Sequence, residues 1–160
     1  MSNLSNNFIA GDWVKGSSSI SNINPSDTND VIGEYAQANN AQLEDALNSS
    51  QIAQKQWAAT GLEQRQAVLM KIGEEMMARS AELGELLSRE EGKPVAEGKG
   101  EIYRAGQFFT YYAAEVLRQS GDTADSVRPN IEIDVRREAM GTVAIISPWN
   151  FPTATASWKI

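Results

Sequence analysis

The sequence predicts an α/β fold. Three features point to it: short apolar segments broken by turn residues at the start, a long stretch of helical periodicity in the middle, and the continuous apolar run Val143-Ala144-Ile145-Ile146 after a glycine near the end. A run of that last kind fits a strand buried on both faces, as in a parallel sheet, where both faces are covered.

The elements follow in order. Phe8, Ile9, Trp13 and Val14 flank the turn signal Gly11-Asp12 and predict a small hairpin. "SNINPSD" is a loop with Pro25 and Asp27 as turn residues. "DVIGEYAQA" suits another short strand, broken by Gly33. A first helix can be capped by Asn39 or Asn40, with Leu43, Ala46, Leu47, Ser50, Ala53 and Trp57 on one face. Thr60 and Glu63 have the spacing of a capping box for a second helix, whose buried stripe is Leu69, Ile72 and Met76. Ser80 restarts the chain as a third helix with Leu83, Leu86 and Leu87 inward. In "EEGKP", Gly92 suits a C-cap position and Pro94 the first turn of a fourth helix. That long helix has an apolar face of Ile102, Ala105, Phe109, Ala113, Val116 and Leu117 and closes at Ser120-Gly121. Helix termination and capping account for "EGKPVAEGKGE", which lacks the spacing of a phosphate loop. "IEIDVRRE" alternates apolar and charged residues, the pattern of a strand with one wet face. The apolar run, the loop after it and "TATASWKI" read as the opening of a strand–loop–helix unit without its second strand.

Composition narrows the function classes. The 160 residues include 14 basic and 21 acidic side chains, a formal charge of −7. That charge argues against a nucleic-acid partner and against an anionic membrane surface. No apolar run is long enough to span a bilayer, the N-terminus carries no secretory pattern, and the cytoplasm is the default compartment. Cysteine and histidine are both absent, so the chain holds no thiol nucleophile, no usual general base and a poor ligand set for zinc.

"SPWNFP", Ser147 to Pro152, is the stretch that carries chemistry. Loops after buried parallel strands are where α/β folds place ligands. Two prolines restrict this one, Trp149 and Phe151 can anchor it, and Asn150 offers an NH2 suited to a developing oxyanion. Spacing alone favours a plainer reading, a proline-rich turn with aromatics in a core and an asparagine satisfying backbone groups.

Resemblance alters that balance. "GTVAIISPWNFP" followed by "SWKI", together with "FIAGDWV", "INPSD", "QWAATGLEQRQAVLMKIGEEM", "EEGKPVAE" and "YYAA" in order, resembles the aldehyde dehydrogenase superfamily along the whole chain. Within it, "EIYRAGQFF" and "SVRP" resemble the α-ketoglutaric semialdehyde (2,5-dioxovalerate) dehydrogenases. The resemblance implies the N-terminal part of that fold. Residues 1–120 would be N-terminal strands and the helical part of the cofactor-binding domain, and 121–139 antiparallel strands of the oligomerisation region. Residues 140–160 would be the first strand and following loop of a Rossmann-like nucleotide-binding core. It implies oxidation of an aldehyde through a cysteine thioester, with NAD or NADP as cofactor and a homo-oligomer, dimer or tetramer, at full length.

The same resemblance implies site roles. Asn150 would be the side-chain donor of the oxyanion hole. Ile146, Ser147, Pro148, Trp149 and Asn150 would run along the nicotinamide side of the cofactor. Phe151, Thr155 and Trp158 would line the aldehyde tunnel. Lys159 matches a lysine near the active site, beside which a surface or structural role stands equally. Arg104 would border the substrate mouth and pair with the carboxylate of an acidic semialdehyde such as 2,5-dioxopentanoate. A solvated arginine paired with Glu101 or another helix carboxylate is the competing reading. The family's cysteine, cofactor lysine, phosphate-contacting segment and glutamate base have no counterpart in these 160 residues. The chain is therefore expected to be inactive alone, as a partial enzyme. The alternative is a short non-catalytic protein that assembles with full-length subunits.

Overall fold

A computed structural model of the chain describes residues 4–160. The N-terminal part is built from five short strands. β1 (Leu4–Ser5), β4 (Ser18–Ile23) and β5 (Val31–Gln37) form a sheet in the order β1-β5-β4, with β1 parallel and β4 antiparallel to β5. β5 runs unbroken through Gly33, opposite Asn22, and the irregularity falls instead between Asn22 and Ile23 of β4. β2 (Asn7–Ile9) and β3 (Asp12–Val14) make the expected hairpin, in register Phe8 to Trp13. Its turn is Ala10-Gly11, not Gly11-Asp12. Both residues have positive φ, 55° and 92°, the twist that joins two antiparallel strands most directly.

Four long helices follow. α1 (Asn40–Ala58) starts with a full capping box: the Gln42 N–H donates to Asn39 Oδ1 at 2.9 Å and the Asn39 N–H donates to Gln42 Oε1 at 3.2 Å. No residue of α1 is buried, so the stripe expected to face a core is exposed at Leu43, Leu47 and Trp57. α2 (Leu62–Ala78) is not capped by Thr60. Its N-cap is Gly61, and the Thr60 hydroxyl donates to Trp57 O while accepting from Arg65 Nε. Arg65 satisfies the end of α1 instead, donating to the carbonyls of Ala58 and Thr60 at 2.8 and 2.9 Å. On its expected stripe, Leu69 and Met76 are half-buried and Ile72 is exposed.

α3 (Ser80–Glu91) ends at Gly92, whose φ of 85° accommodates a left-handed cap without a Cβ penalty. Pro94 then serves as the N-cap of α4 (Val95–Glu115), one residue before its first turn. α4 passes into a 3₁₀ turn, Val116–Arg118, as its last carbonyls tighten.

α4 is the axis of the molecule and carries half of the buried residues among those described, Gly98, Glu101, Ile102, Ala105, Gly106, Phe109 and Ala113. Two glycine contacts let α2 and α3 approach it backbone to backbone. A Cβ on Gly73 would lie 2.6 Å from the Gly106 carbonyl oxygen, and one on Gly84 would lie 2.5 Å from Lys99 Cα. The N-terminal sheet docks on the end of α3. Arg89 grips Asp30 in a two-pronged pair, Nε to Oδ2 at 2.9 Å and Nη2 to Oδ1 at 2.6 Å, and Glu90 accepts from Asn22 and Tyr35, each at 3.0 Å.

The hydrogen bond from Arg89, aided by one from Asn24, holds the Asp30 carboxyl at about 2 rather than 3.8. A carboxyl depressed on folding contributes stability that is full above the unfolded value and disappears as pH falls through the folded one. Asp30→Asn is expected to flatten the part of the stability–pH profile between pH 3.8 and about 2, read by acid unfolding of parent and variant. An unchanged acid limb would remove this pair from the stability account.

Past α4, β6 (Asp122–Asp125) and β7 (Glu132–Val135) form an antiparallel hairpin exposed along its whole length. Residues 143–146 differ from expectation. They form no strand: the stretch lies mostly in solvent, with Ile146 88% exposed, and pairs with no other strand among the described residues. A strand is defined by its ladder, and an apolar run with no neighbour to exchange hydrogen bonds with remains an unpaired segment. The chain then turns into a short helix, α5 (Pro152–Ser157), which packs on α4 through Ala154 and Ser157, both buried. Among the described residues no helix is long and apolar enough to cross a membrane.

Candidate functional site

The loop of residues 147–152 is held from below by one buried carboxylate. Glu101 sits on the core face of α4 with its side chain 1% exposed. Its Oε1 accepts the N–H groups of Thr153 and Ala154, at 2.9 and 3.1 Å, and so serves the free amides at the start of α5. That start has no side-chain cap of its own. Glu101 Oε2 accepts from Lys93 Nζ at 2.5 Å.

Lys93 completes the arrangement. Its ammonium, 9% exposed, reaches Glu91 at 3.0 Å, donates to the main-chain carbonyl of Asn150 at 3.1 Å and lies 4.5 Å from the centre of the Phe151 ring. Burial pulls the Lys93 ammonium down, but the hydrogen bonds to Glu101 and Glu91 outweigh it, and its pKa moves above the usual 10.5. Lys93 therefore stays charged through the neutral range. The Phe151 ring adds a cation–π contact to the same charge.

Around this clamp, Arg104, Phe151, Thr155 and Trp158 come together, with Glu97, Gly100, Glu101 and Ala154, on one cavity of about 440 Å³. Arg104 lies on the same wall of α4 as Phe108, whose ring meets Trp158 edge to face at 5.2 Å. Arg104 does not pair with Glu101, which Lys93 already holds. Among the described residues Arg104 is in no ion pair, and its guanidinium is exposed beside the cavity. Asn150 is exposed as well. Its carbonyl is fixed, while none of the side-chain hydrogen bonds among the described residues uses its amide. The plainer reading of an asparagine that satisfies backbone groups is thus not what the loop does. Lys159 Nζ donates to the Ile146 carbonyl at 3.4 Å, tying the end of α5 back to the extended segment.

Sequence reasoning missed Lys93 and Glu101, attributing "EGKPVAEGKGE" to helix termination. A signal for Glu101 existed. Positions 98, 101, 102, 105, 106 and 109 share the buried face of α4, and a carboxylate on an apolar stripe requires a cation or several N–H donors. Lys93 carried no comparable signal, because its partners lie at positions 101 and 150.

Residues 13–160 match the model of the aldehyde dehydrogenase family. The chain belongs to that family. Its fold is the N-terminal part of the family's α/β fold, and the family's members are oxidoreductases. Among curated relatives, the α-ketoglutaric semialdehyde dehydrogenase of Bacillus subtilis is 35% identical over 156 residues, which is 96% of this chain and 32% of that protein. A solved NADP-dependent enzyme from E. coli superposes with a TM-score of 0.89 at 30% identity, over 96% of this chain and 32% of that one. A variant of Staphylococcus aureus betaine aldehyde dehydrogenase, solved in complex with NAD+, has a TM-score of 0.89 at 26% identity, over 98% of this chain and 32% of that one. The chain thus spans about a third of the length of these family members.

Trp149 is 83% exposed, and the extended backbone before it leaves peptide groups without ladder partners. Among the described residues nothing resembles a phosphate-binding loop.

Proposed function

We propose that this chain supplies the oxyanion donor and one wall of the substrate site for NAD- or NADP-dependent oxidation of an aldehyde, most suitably an acidic semialdehyde such as 2,5-dioxopentanoate. The observation that carries the reading is the single cavity shared by Arg104, Phe151, Thr155 and Trp158, next to a loop whose asparagine amide is free. Membership of the family and the semialdehyde relative support it.

Each residue has a physical task. The Asn150 NH2 donates to the carbonyl oxygen of the aldehyde as negative charge builds on it, which lowers the barrier more than it tightens substrate binding. Phe151, Trp158 and Thr155 exclude water from the reacting carbon. The Arg104 fork takes the substrate's distal carboxylate. Ile146, Ser147, Pro148, Trp149 and Asn150 would hold the nicotinamide edge of the cofactor, which supplies the hydride acceptor when bound. The chain contains no cysteine, so the nucleophile belongs to a longer form and the 160 residues alone are inactive. The longer form works in the cytoplasm as a homo-oligomer, with the exposed β6–β7 hairpin, Ile131, Ile133 and Val135 included, as a contact between subunits.

The test is substrate discrimination in the full-length form. Arg104→Gln is expected to lower kcat/KM for an acidic semialdehyde about tenfold relative to a neutral aldehyde of the same length, the effect of one charge-assisted contact at a solvent-accessible site. Equal losses on both substrates would remove the carboxylate assignment. Turnover of neither substrate with NAD or NADP would remove the reading as a whole.

A further inference from the structure

We propose that Lys93 and Glu101 are positioning residues for catalysis, a buried two-ended clamp that sets the height and direction of the Asn150 amide. The inference rests on the reading of Asn150 as the oxyanion donor. Five contacts converge to make the clamp. Glu101 Oε1 fixes the amides of Thr153 and Ala154, just after the loop, and Glu101 Oε2 fixes Lys93. Lys93 in turn fixes the Asn150 carbonyl and faces the Phe151 ring. Asn150 and its four following residues are thus tied to α4 at both ends of the turn, while the amide itself remains unengaged. Two prolines restrict the loop's dihedrals, but they do not set its distance from α4. A donor in an oxyanion hole acts only when its position matches the oxygen to within a fraction of an ångström, and a shift of about 1 Å costs about 100-fold in rate.

The clamp is also assembled from outside the site. Gly92 ends α3 immediately before Lys93, and Arg89 and Glu90, three and two positions before Gly92, are where the N-terminal sheet docks. The sheet therefore sets where Lys93 emerges, and Glu91 supplies a second carboxylate so that the ammonium is not left with unmatched burial.

The experiment is a double-mutant cycle in the full-length form with aldehyde and NAD or NADP. Lys93→Met is expected to lower kcat about 10- to 100-fold with KM changed less than about threefold, and Lys93→Arg to recover most of the loss. In the Asn150→Ala background, Lys93→Met is expected to cost less than about threefold, because the group it positions is gone. If Lys93→Met leaves an uncompensated carboxylate and does not fold, Lys93→Met/Glu101→Gln is used. It neutralises both charges and keeps the acceptor for the α5 amides, and the same kcat loss is expected. Full additivity with Asn150→Ala, or an unchanged kcat in a folded clamp variant, overturns the proposal. An unchanged kcat in Asn150→Ala alone overturns the underlying reading instead, so the two failures are distinct.

Discussion

Asn150→Ala, in the full-length form, is expected to lower kcat and kcat/KM together by about 100- to 1,000-fold while KM moves little. The magnitude is that of deleting one preorganised donor from an oxyanion hole, about 3–4 kcal/mol of transition-state stabilisation. The split between the two constants follows from where the charge sits. A neutral aldehyde oxygen accepts a weak hydrogen bond that water supplies equally well. On the proposed reading the tetrahedral oxyanion accepts a strong one, which water replaces poorly. The structure adds a reason for the amide to be effective: its backbone is anchored by Lys93, while its NH2 has no competing partner among the described residues. Steady-state kinetics on the variant checks this. A raised KM with unchanged kcat would assign Asn150 to ground-state binding and remove it from the oxyanion hole.

Gly106→Val is the second large effect, this time on stability. A Cβ at Gly106 would lie 2.6 Å from Met77 Cγ and 2.7 Å from the Gly73 carbonyl oxygen. The methionine can swing away, but the carbonyl belongs to α2, so the two helices must separate along their closest crossing. Overpacking of this kind costs about 3 kcal/mol, the upper end of what inserted methyl groups do in cores. For a protein of this size that corresponds to a fall in Tm of about 6–12 °C. Because α4 also carries Glu101 and Arg104, the same substitution in the full-length form is expected to cost activity at temperatures where that form is still folded. A Tm within about 2 °C of the parent would show that the crossing is looser than its contacts imply.

Local chemistry was legible in particular residues. Asn39 and Gln42 form their capping box from side chains three positions apart, and Gly92 takes a left-handed cap that other residues resist. The apolar spacing of α4 placed Ile102, Ala105, Phe109 and Ala113 inside. Thr60 and Glu63 satisfy the same spacing rule and do not cap, because Arg65 takes the Thr60 hydroxyl and the carbonyls around it. The α1 stripe has helical period, but the β2–β3 hairpin lies against only part of it, around Ala46, Ser50 and Ala53, and periodicity alone does not say what lies opposite.

The sequence by itself determined the helices, the sharp ends of α3 and the composition of the rigid 147–152 turn, since periodicity, capping and proline sterics act within a few residues of the chain. Tertiary structure alone decided that Lys93 reaches the Asn150 carbonyl 57 positions away. It also decided that Glu101 is occupied by Lys93 and the α5 amides, so that Arg104 is free to face a cavity with Phe151, Thr155 and Trp158. It left residues 143–146, apolar enough for a buried strand, without a partner among the described residues. The physical reason is common to all three. Each depends on which distant backbone the glycine-packed crossings of α4 bring within hydrogen-bond distance, and a charged or strand-forming residue adopts its role only when that partner arrives.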